Sequence, residues 1–281
     1  MRVENPTATA APPTRQERQD AAGQQLQNLF TEILLESGKS GYASAEAFES
    51  DNPIEEDIQQ TWDDWFTLAG GSGYPDGIDP AQLKADYAQV LVRAYEEGGY
   101  VDPQGFLKNL SDEDLATVQH VARLVDPIKP ESLNLEGALN LLIPRPAQVD
   151  YDHNGITQNG KGNMLQFPDS NTPPEVVAAW EETTADMSPK DKMIHEFQMW
   201  VPILLANIEF DSDGNFVRQH EPGDADWVNP MASGDYSYQK VAEEYLEYLE
   251  YFKYQMPREQ YEEGVAFWSE FQENLQKHNA R

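Results

Sequence analysis

The sequence predicts a mainly α-helical protein: a multi-helix, bundle-like body, an ordered central loop segment, one small β-hairpin and a C-terminal helical hairpin. Helix-start signals recur along the chain, each with a capping side chain and often a proline at the first helical position. Apolar residues then return at helical spacing. After residue 143 the chain becomes rich in glycine, asparagine and proline, which predicts an ordered segment dominated by loops.

The first elements are a flexible tail and a long helix. Residues 1–13 are rich in alanine, proline and threonine and contain few large apolar side chains, which is typical of a flexible tail. Thr14 and Glu17 then have the spacing of a capping box, in which each side chain binds the backbone amide of the other residue. The helix that follows should end near Gly38 or Gly41.

Residues 14–143 are predicted to form an all-helical domain. Its further helices begin at four start signals, Asn52-Pro53, Asp79-Pro80, Asp102-Pro103 and Ser111. The connections between the helices are short, which favours antiparallel packing of neighbours. A glycine-rich stretch over residues 70–77 lacks the lysine of a phosphate-binding loop, so we interpret it as a flexible connector.

Residues 144–235 are predicted to form a loop-rich segment with two helices and a β-hairpin. One helix should begin at Thr172, in a capping box with Glu175, and the other at Ser188. Apolar residues alternate on both sides of an Asp-Gly pair at 213–214, which indicates strand, turn and strand.

Residues 236–281 are predicted to form two long helices separated at Pro257, packed as a helical hairpin. Tyrosines recur at every third position of the first helix, at Tyr245, Tyr248, Tyr251 and Tyr254. Three residues turn a helix by about 300°, so these side chains cannot all face one core. They predict a contact surface for a protein partner or for self-association; the alternative is an ordinary amphipathic helix with a tyrosine-rich rim.

Composition and charge exclude several classes of function. Among 281 residues, 50 are Asp or Glu and 19 are Lys or Arg, a formal net charge of −31. Such a chain repels phosphates and anionic lipids, so we expect no nucleic-acid partner and no membrane insertion. A solvated surface, cation binding and docking to a basic partner each explain the acidity. There is no cysteine, which excludes disulfides and thiol catalysis. Neither a signal peptide nor a transmembrane segment is visible, and the compartment stays open.

The stretch over residues 150–155 points most directly to chemistry. Asp150, Asp152 and Asn154 carry oxygens at alternate positions, and Gly155 permits a sharp turn. These four residues resemble positions 1, 3, 5 and 6 of the calcium loop of EF-hand and dockerin modules. The resemblance implies a calcium ion, with the backbone carbonyl near Ile156 as a further ligand.

The resemblance is local and then departs. Lys161 stands at position 12, where those loops place a bidentate acid, and prolines at 144 and 146 exclude an EF-hand entering helix. A calcium ion would therefore need further oxygens, from Asn159, Asn163 or a remote acid. The alternative is a polar Asx-type turn that binds no metal.

A second acidic loop carries Asp211, Asp213 and Asn215, which are further candidate metal ligands. An Asp-Gly pair between two apolar segments is, however, the usual sign of a hairpin turn, because both residues tolerate positive φ. The sequence therefore favours a hairpin here and leaves a metal site as the alternative.

Signatures of catalysis are weak. His195-Glu196 begins like the zinc-protease motif His-Glu-x-x-His, but the second histidine is replaced by Met199, so we expect a structural histidine. The chain has no Gly-x-Ser-x-Gly elbow. The sequence favours a non-enzymatic, acidic structural or protein-interaction protein, stabilised by calcium through residues 150–155. The alternative is a hydrolase with a site between the helical domain and the central segment.

Overall fold

The computed structural model describes residues 12–69, 74 and 77–280. Over these residues the chain is mainly helical, as predicted, with ten α-helices and two small two-stranded antiparallel sheets. The tail predicted over residues 1–13 and the connector predicted over residues 70–77 fall largely outside the described residues. None of the described helices is long and apolar enough to cross a membrane.

Six helices precede the central segment. They are α1 (Arg15–Glu36), α2 (Ile54–Ala69), α3 (Pro80–Glu96), α4 (Pro103–Asn109), α5 (Asp112–Val121) and α6 (Leu135–Asn140). Four of the predicted start signals are N-caps whose side chains accept a backbone amide of the first turn: Thr14, Asp79, Asp102 and Ser111. Thr14 and Glu17 make both bonds of the predicted capping box.

These helices enclose the first hydrophobic core. α1 packs on α2 and α2 on α3, whereas α3 packs on α5 and α4 on α6, so the later contacts skip one helix. Leu26, Trp62 and Tyr87 are almost completely buried there. The hydroxyl of Tyr87 donates to the carbonyl oxygen of Leu141 over 3.0 Å, which satisfies its polar end. Full burial of one large apolar side chain contributes roughly 1.5–3 kcal/mol, so this core holds the helices together.

The central segment contains a second β-hairpin that the sequence did not predict. β1 (Thr157–Asn159) pairs with β2 (Gly162–Met164) in antiparallel register. The strands are three residues long and consist largely of Gln, Asn and Gly, which have low β-propensity, so no alternating pattern marks them. The Nδ2 of Asn140, in α6, donates to the carbonyl of Gln158 over 2.7 Å and ties the hairpin to the body.

Two helices and the predicted hairpin follow. They are α7 (Pro174–Thr184), α8 (Pro189–Ala206), β3 (Ile208–Phe210) and β4 (Phe216–Gln219). Ser188 caps α8 as predicted. The capping box predicted at Thr172 is wrong, because Pro173 occupies the N-cap position of α7 and makes no side-chain cap. The hydroxyl of Thr172 instead donates to Asp169 Oδ1 over 2.7 Å.

The chain ends in the predicted helical hairpin, formed by α9 (Tyr238–Phe252) and α10 (Arg258–Lys277). α10 also packs on α7, and the three helices share a second hydrophobic core. Trp180 is fully buried in this core and meets Phe271 edge to face, with ring centroids 5.7 Å apart.

The tyrosines at 245–254 divide between this core and solvent, as their spacing predicts, and Tyr254 lies in the turn just beyond α9. Tyr245 points inward, where its ring stacks on Trp268 with centroids 4.1 Å apart. Tyr248, Tyr251 and Tyr254 are 53%, 76% and 91% exposed. We call these three residues the tyrosine surface.

Candidate metal centre

Three carboxylates converge where α6 meets the loop at residues 150–155. Oxygens of Glu136, Asp150 and Asp152 all lie within 4.8 Å of one another. Glu136 and Asp150 are buried, whereas Asp152 is exposed. We call these residues the carboxylate cluster. Two of its members were predicted from the loop spacing, and Glu136 is the kind of remote acid that the loop requires.

The start of α6 determines the position of Glu136. The side chain of Asn134 caps the helix by accepting from the amide of Gly137 over 2.7 Å, so Glu136 lies in the first turn. Gly137 lies so close to β1 that a Cβ there would be 2.1 Å from the carbonyl oxygen of Gly160. A glycine at this position therefore lets α6 approach the hairpin and brings Glu136 to the loop.

Backbone amides of the loop and of β1 hold the Glu136 carboxylate in place. Its Oε2 accepts from the amides of Tyr151 and Asp152, over 2.9 and 3.2 Å. Its Oε1 accepts from the amide of Gln158 over 2.6 Å. Because Glu136 is only 3% exposed, these bonds replace most of its contact with water.

Asp150 is held in a similar way. Its Oδ1 accepts from the amide of Asn154 over 3.1 Å, and its Oδ2 accepts from the amide of Gly155 over 2.8 Å. The Nδ2 of Asn171 also donates to Oδ2, over 3.0 Å. Asp150 is 1% exposed, so the loop is wrapped around its carboxylate.

The remaining predicted ligands of this loop lie nearby. Asn154 Oδ1 accepts from the amide of Ile156 over 2.8 Å, which is the geometry of an Asx turn. The carbonyl of Asn154 accepts from Trp227 Nε1 over 2.9 Å. Ile156 packs against Trp200 and Ile203 in a small cluster of its own. The Asx turn and the carboxylate cluster are thus present together.

The carboxylate cluster brings negative charges close together in a largely buried position. Burial raises the pKa of Glu136 from 4.5 to about 8, and the charges of Asp150 and Asp152 add to this. Burial likewise raises the pKa of Asp150 from 3.8 to about 7, with contributions from Asp169 and Asp152. None of the ion pairs found among the described residues involves the cluster. These charges therefore lack a cationic partner within the described part of the chain.

The donor set fits a hard divalent cation. Carboxylate oxygens are the preferred ligands of calcium and magnesium, whereas zinc is more often held by histidine and cysteine. The cluster contains oxygen donors alone, and a bound cation would offset the repulsion between its carboxylates. The cluster could therefore hold a metal ion of this class.

The second acidic loop has a different geometry. Asp211, Asp213 and Asn215 form the exposed turn between β3 and β4, so the predicted hairpin is confirmed. Asp211 Oδ1 accepts from the amides of Asp213 and Asn215, over 2.9 and 2.8 Å. No third acidic or histidine side chain joins them among the described residues. A metal role for this loop stays a prediction.

His195 belongs to the C-terminal core. Its ring stacks on Phe267 with centroids 3.5 Å apart, and its Nδ1 lies 2.8 Å from Gln198 Oε1. Burial lowers its pKa, which favours the neutral imidazole. This environment is that of a packed aromatic side chain rather than of a metal ligand.

Comparisons of the chain with known protein families, with curated proteins and with solved structures find no match. The carboxylate cluster must therefore be interpreted from its own geometry. The loop ligands could be predicted because they lie within a few residues of one another. Glu136 could not be predicted in this way, because it is distant from the loop in sequence and only folding brings the two together.

Proposed function

We propose that the chain is a non-enzymatic structural or protein-interaction protein whose central segment is held by a calcium ion at the carboxylate cluster. The observation that carries this proposal is the convergence of Glu136 on Asp150 and Asp152, with oxygens within 4.8 Å of one another. Glu136 supplies the acidic ligand that the loop lacks where Lys161 replaces the usual acid.

Calcium suits this site better than magnesium. Calcium takes about six to eight oxygens in flexible geometry, whereas magnesium requires a near-ideal octahedron and retains several waters. Three carboxylates, the side chain of Asn154, the carbonyl of Ile156 and water would together satisfy calcium. The buried position of two of the carboxylates gives the ion a structural role.

A bound calcium ion would connect several parts of the fold. Its ligands would join α6 to the loop, and the loop in turn contacts more distant segments. The carbonyl of His153 accepts from Asn229 Nδ2 over 2.9 Å, and Asn171 Nδ2 donates to the carbonyl of Asp150 over 2.9 Å. We therefore propose a structural clamp, not a calcium sensor that opens and closes.

The first test is thermal unfolding in calcium and in chelator. At a calcium concentration 100 times its dissociation constant, stabilisation is about 2.7 kcal/mol, which raises Tm by roughly 5–10 °C for a chain of this size. Millimolar magnesium should give a smaller rise. Melting curves that coincide in calcium and in chelator would remove the calcium proposal.

A pair of matched variants tests whether the calcium-dependent rise in Tm comes from the carboxylate cluster. Asp152→Asn removes one ligand charge, while its remaining oxygen can still accept from the amide of Asn154, a bond of 3.1 Å in the native chain. We expect this variant to lose more than half of the calcium-dependent rise in Tm. Asp126→Asn removes the same charge from an exposed residue outside the cluster and should keep the full rise.

The tyrosine surface supports the interaction part of the proposal. Tyr251 and Tyr254 are more than three-quarters exposed, and tyrosine contributes large contact area while keeping a polar tip. Glu243 and Glu247 are exposed on the same helix and keep the surrounding surface hydrated. We propose that copies of the chain associate through the tyrosine surface.

The hydrolase alternative has less support. Two-carboxylate hydrolysis needs a pair of acids across one cleft. The cavity beside the loop is lined by a single carboxylate, Asp169, and His195 does not line it. The carboxylates of Glu136 and Asp150 are engaged by backbone amides, which favours a role in holding the chain.

A further inference from the structure

A cavity of about 330 Å³ lies between the loop at residues 150–155, the start of α9 and the two segments that precede α7 and α9. This volume is at the small end of the range for ligand pockets, about 300–1,000 Å³. Neither the calcium proposal nor the tyrosine surface uses it. Its wall combines one carboxylate, amide groups and an aromatic ring.

Asp169 supplies the carboxylate. Its Oδ1 accepts from the amide of Asn171 over 3.0 Å and from the hydroxyl of Thr172 over 2.7 Å. Among the described residues, no hydrogen bond reaches Oδ2 and no ion pair involves this side chain. Asp169 therefore offers the cavity a carboxylate oxygen. Burial raises the pKa of Asp169, and a bound cation would favour its ionised form.

Asn171, a second polar residue of the wall, is also an acceptor. Both hydrogens of Asn171 Nδ2 are used, because this nitrogen donates to the carbonyl and to Oδ2 of Asp150, over 2.9 and 3.0 Å. Asn171 therefore has only its side-chain oxygen left to offer a ligand. Among the described residues, no lysine or arginine lines the cavity, whereas the amide of Asn229 and the imidazole of His153 do. A ligand that brings hydrogen-bond donors and positive charge would satisfy Asp169 and Asn171.

The apolar part of the wall comes from three residues. Tyr238 is 6% exposed and contributes its ring, and Met231 and Ala232 contribute aliphatic surface. An aromatic ring attracts a cation placed over its face, and aliphatic surface favours the carbon chain of a ligand. A metal ion would find a single carboxylate here, and an anion would be repelled by it.

We propose that this cavity binds a small organic cation, a primary ammonium or guanidinium group carried on a short carbon chain. The charged group would donate to Asp169 Oδ2 and to the side-chain oxygen of Asn171, and the carbon chain would lie against Tyr238 and Met231. This proposal goes beyond the calcium clamp and does not depend on it, because Asp169 is not a member of the carboxylate cluster.

The experiment is a titration of the isotope-labelled full-length protein, in calcium, followed by amide chemical shifts. The probes are n-butylammonium and methylguanidinium, and n-butanol is the neutral control of matching size. We expect saturable binding of at least one cation, with shifts at residues 153, 169–171, 229, 231, 232 and 238. n-Butanol should not saturate. Failure of both cations to saturate, or saturable binding of n-butanol with equal affinity, would overturn the proposal.

Matched variants test the role of the carboxylate. Asp169→Asn keeps an oxygen for Asn171 and Thr172 but replaces the free oxygen with a donor, so the cations should bind at least tenfold more weakly. Asp186→Asn removes the same charge from an exposed residue that does not line the cavity. The affinity of this variant for the cations should stay within twofold of the native value. Native affinity in Asp169→Asn would contradict the proposal.

The proposal can be tested even if one variant does not fold, and it can be tested separately from the calcium clamp. If Asp169→Asn does not fold, the map of shifted amides in the native protein decides, because shifts confined to other residues would also overturn the proposal. The calcium-dependent rise in Tm is measured without any amine. A failure of amine binding is therefore separate from a failure of the calcium clamp.

Discussion

At Glu136, three backbone amides donate to a carboxylate that has no basic partner among the described residues. Amide dipoles replace much of the hydration that burial removes, but they do not neutralise the charges of Asp150 and Asp152 nearby. The pKa of Glu136 consequently rises to about 8 and that of Asp150 to about 7. Without a cation, the folded chain retains protons that the unfolded chain releases.

This retention of protons predicts how stability depends on pH in chelator. Folded-state pKa values of about 8 and 7 lie above the ordinary values of 4.5 and 3.8 for Glu136 and Asp150, so the folded state binds more protons throughout that interval. The free energy of unfolding should therefore fall as pH rises from about 5 to 8, by on the order of 6 kcal/mol. Urea unfolding at pH 5, 6, 7 and 8 measures this fall.

Two comparisons test whether the carboxylate cluster causes this fall in the free energy of unfolding. Saturating calcium should reduce the fall, because the cation stabilises the ionised carboxylates. Glu136→Gln mimics the neutral acid at every pH, so its stability in chelator should fall less steeply than that of the native chain. A native chain that gains stability from pH 5 to pH 8 in chelator would contradict this reading of the carboxylate cluster.

The candidate site was predictable in part at the level of residues. Asp150, Asp152 and Asn154 could be identified because ligand spacing within one loop is a local property of sequence. The need for a remote acid also followed from Lys161. The identity of that acid did not, because in a chain with 50 acidic residues only the packing of α6 on β1 distinguishes Glu136 from the others.

At the scale of elements, the contact between α6 and β1 supports the carboxylate cluster. The amide of Gly160 donates to the carbonyl of Gly137 over 2.9 Å, and Asn140 Nδ2 donates to the carbonyl of Gln158. Glu136 also bonds to β1, through the amide of Gln158. The position of this candidate metal ligand therefore depends on how closely a helix approaches a hairpin.

Gly137→Ala tests this dependence. The added Cβ would meet the carbonyl oxygen of Gly160 at 2.1 Å, so α6 and β1 would have to separate. We expect a loss of about 1–3 kcal/mol in the free energy of unfolding, as for other overpacked sites. The calcium-dependent rise in Tm should also shrink, because Glu136 moves with α6. Calorimetry in calcium and in chelator measures both effects.

Gly234→Ala is the matched control, since its added Cβ would meet nothing within 4 Å. Its unfolding free energy should change by no more than about 0.5 kcal/mol. If Gly137→Ala were as stable as this control, the close approach of α6 to β1 would not be a requirement of the fold.

Helices and strands could be predicted where the residues that determine them are close in sequence. Thr14 and Ser188 mark helix starts because each satisfies amides within its own first turn. Thr172 was misleading because the neighbouring Asp169 takes its hydroxyl, a competition that the capping pattern does not reveal. The β1–β2 hairpin escaped prediction because its polar strands depend on α6 rather than on alternating apolar residues.

At the scale of the whole molecule, the two large hydrophobic cores leave several aromatic side chains exposed, among them the tyrosine surface. The first core gathers side chains between residues 26 and 149, and the second gathers side chains between residues 167 and 280. Tyr245 packs against the second core, while the tyrosine surface follows it at the end of α9 and in the turn beyond. A net charge of −31 opposes association of two copies at low salt, because exposed charges of one sign repel.

Self-association through the tyrosine surface should therefore strengthen with salt. Sedimentation velocity at rising protein concentration and at 0.05 to 0.5 M salt should reveal a growing dimer fraction in the native chain. Replacing Tyr248, Tyr251 and Tyr254 together with serine should weaken association at least tenfold. These residues are exposed, so Tm should change little.

A second triple variant separates this effect from a general loss of exposed apolar area. Leu35, Val101 and Val125 are 61%, 63% and 94% exposed and lie outside α9. Their replacement with serine should leave association unchanged, because they are not part of the tyrosine surface. A native chain that stays monomeric at every concentration and salt would contradict self-association. Equal weakening in both triple variants would show that association does not depend on the tyrosine surface.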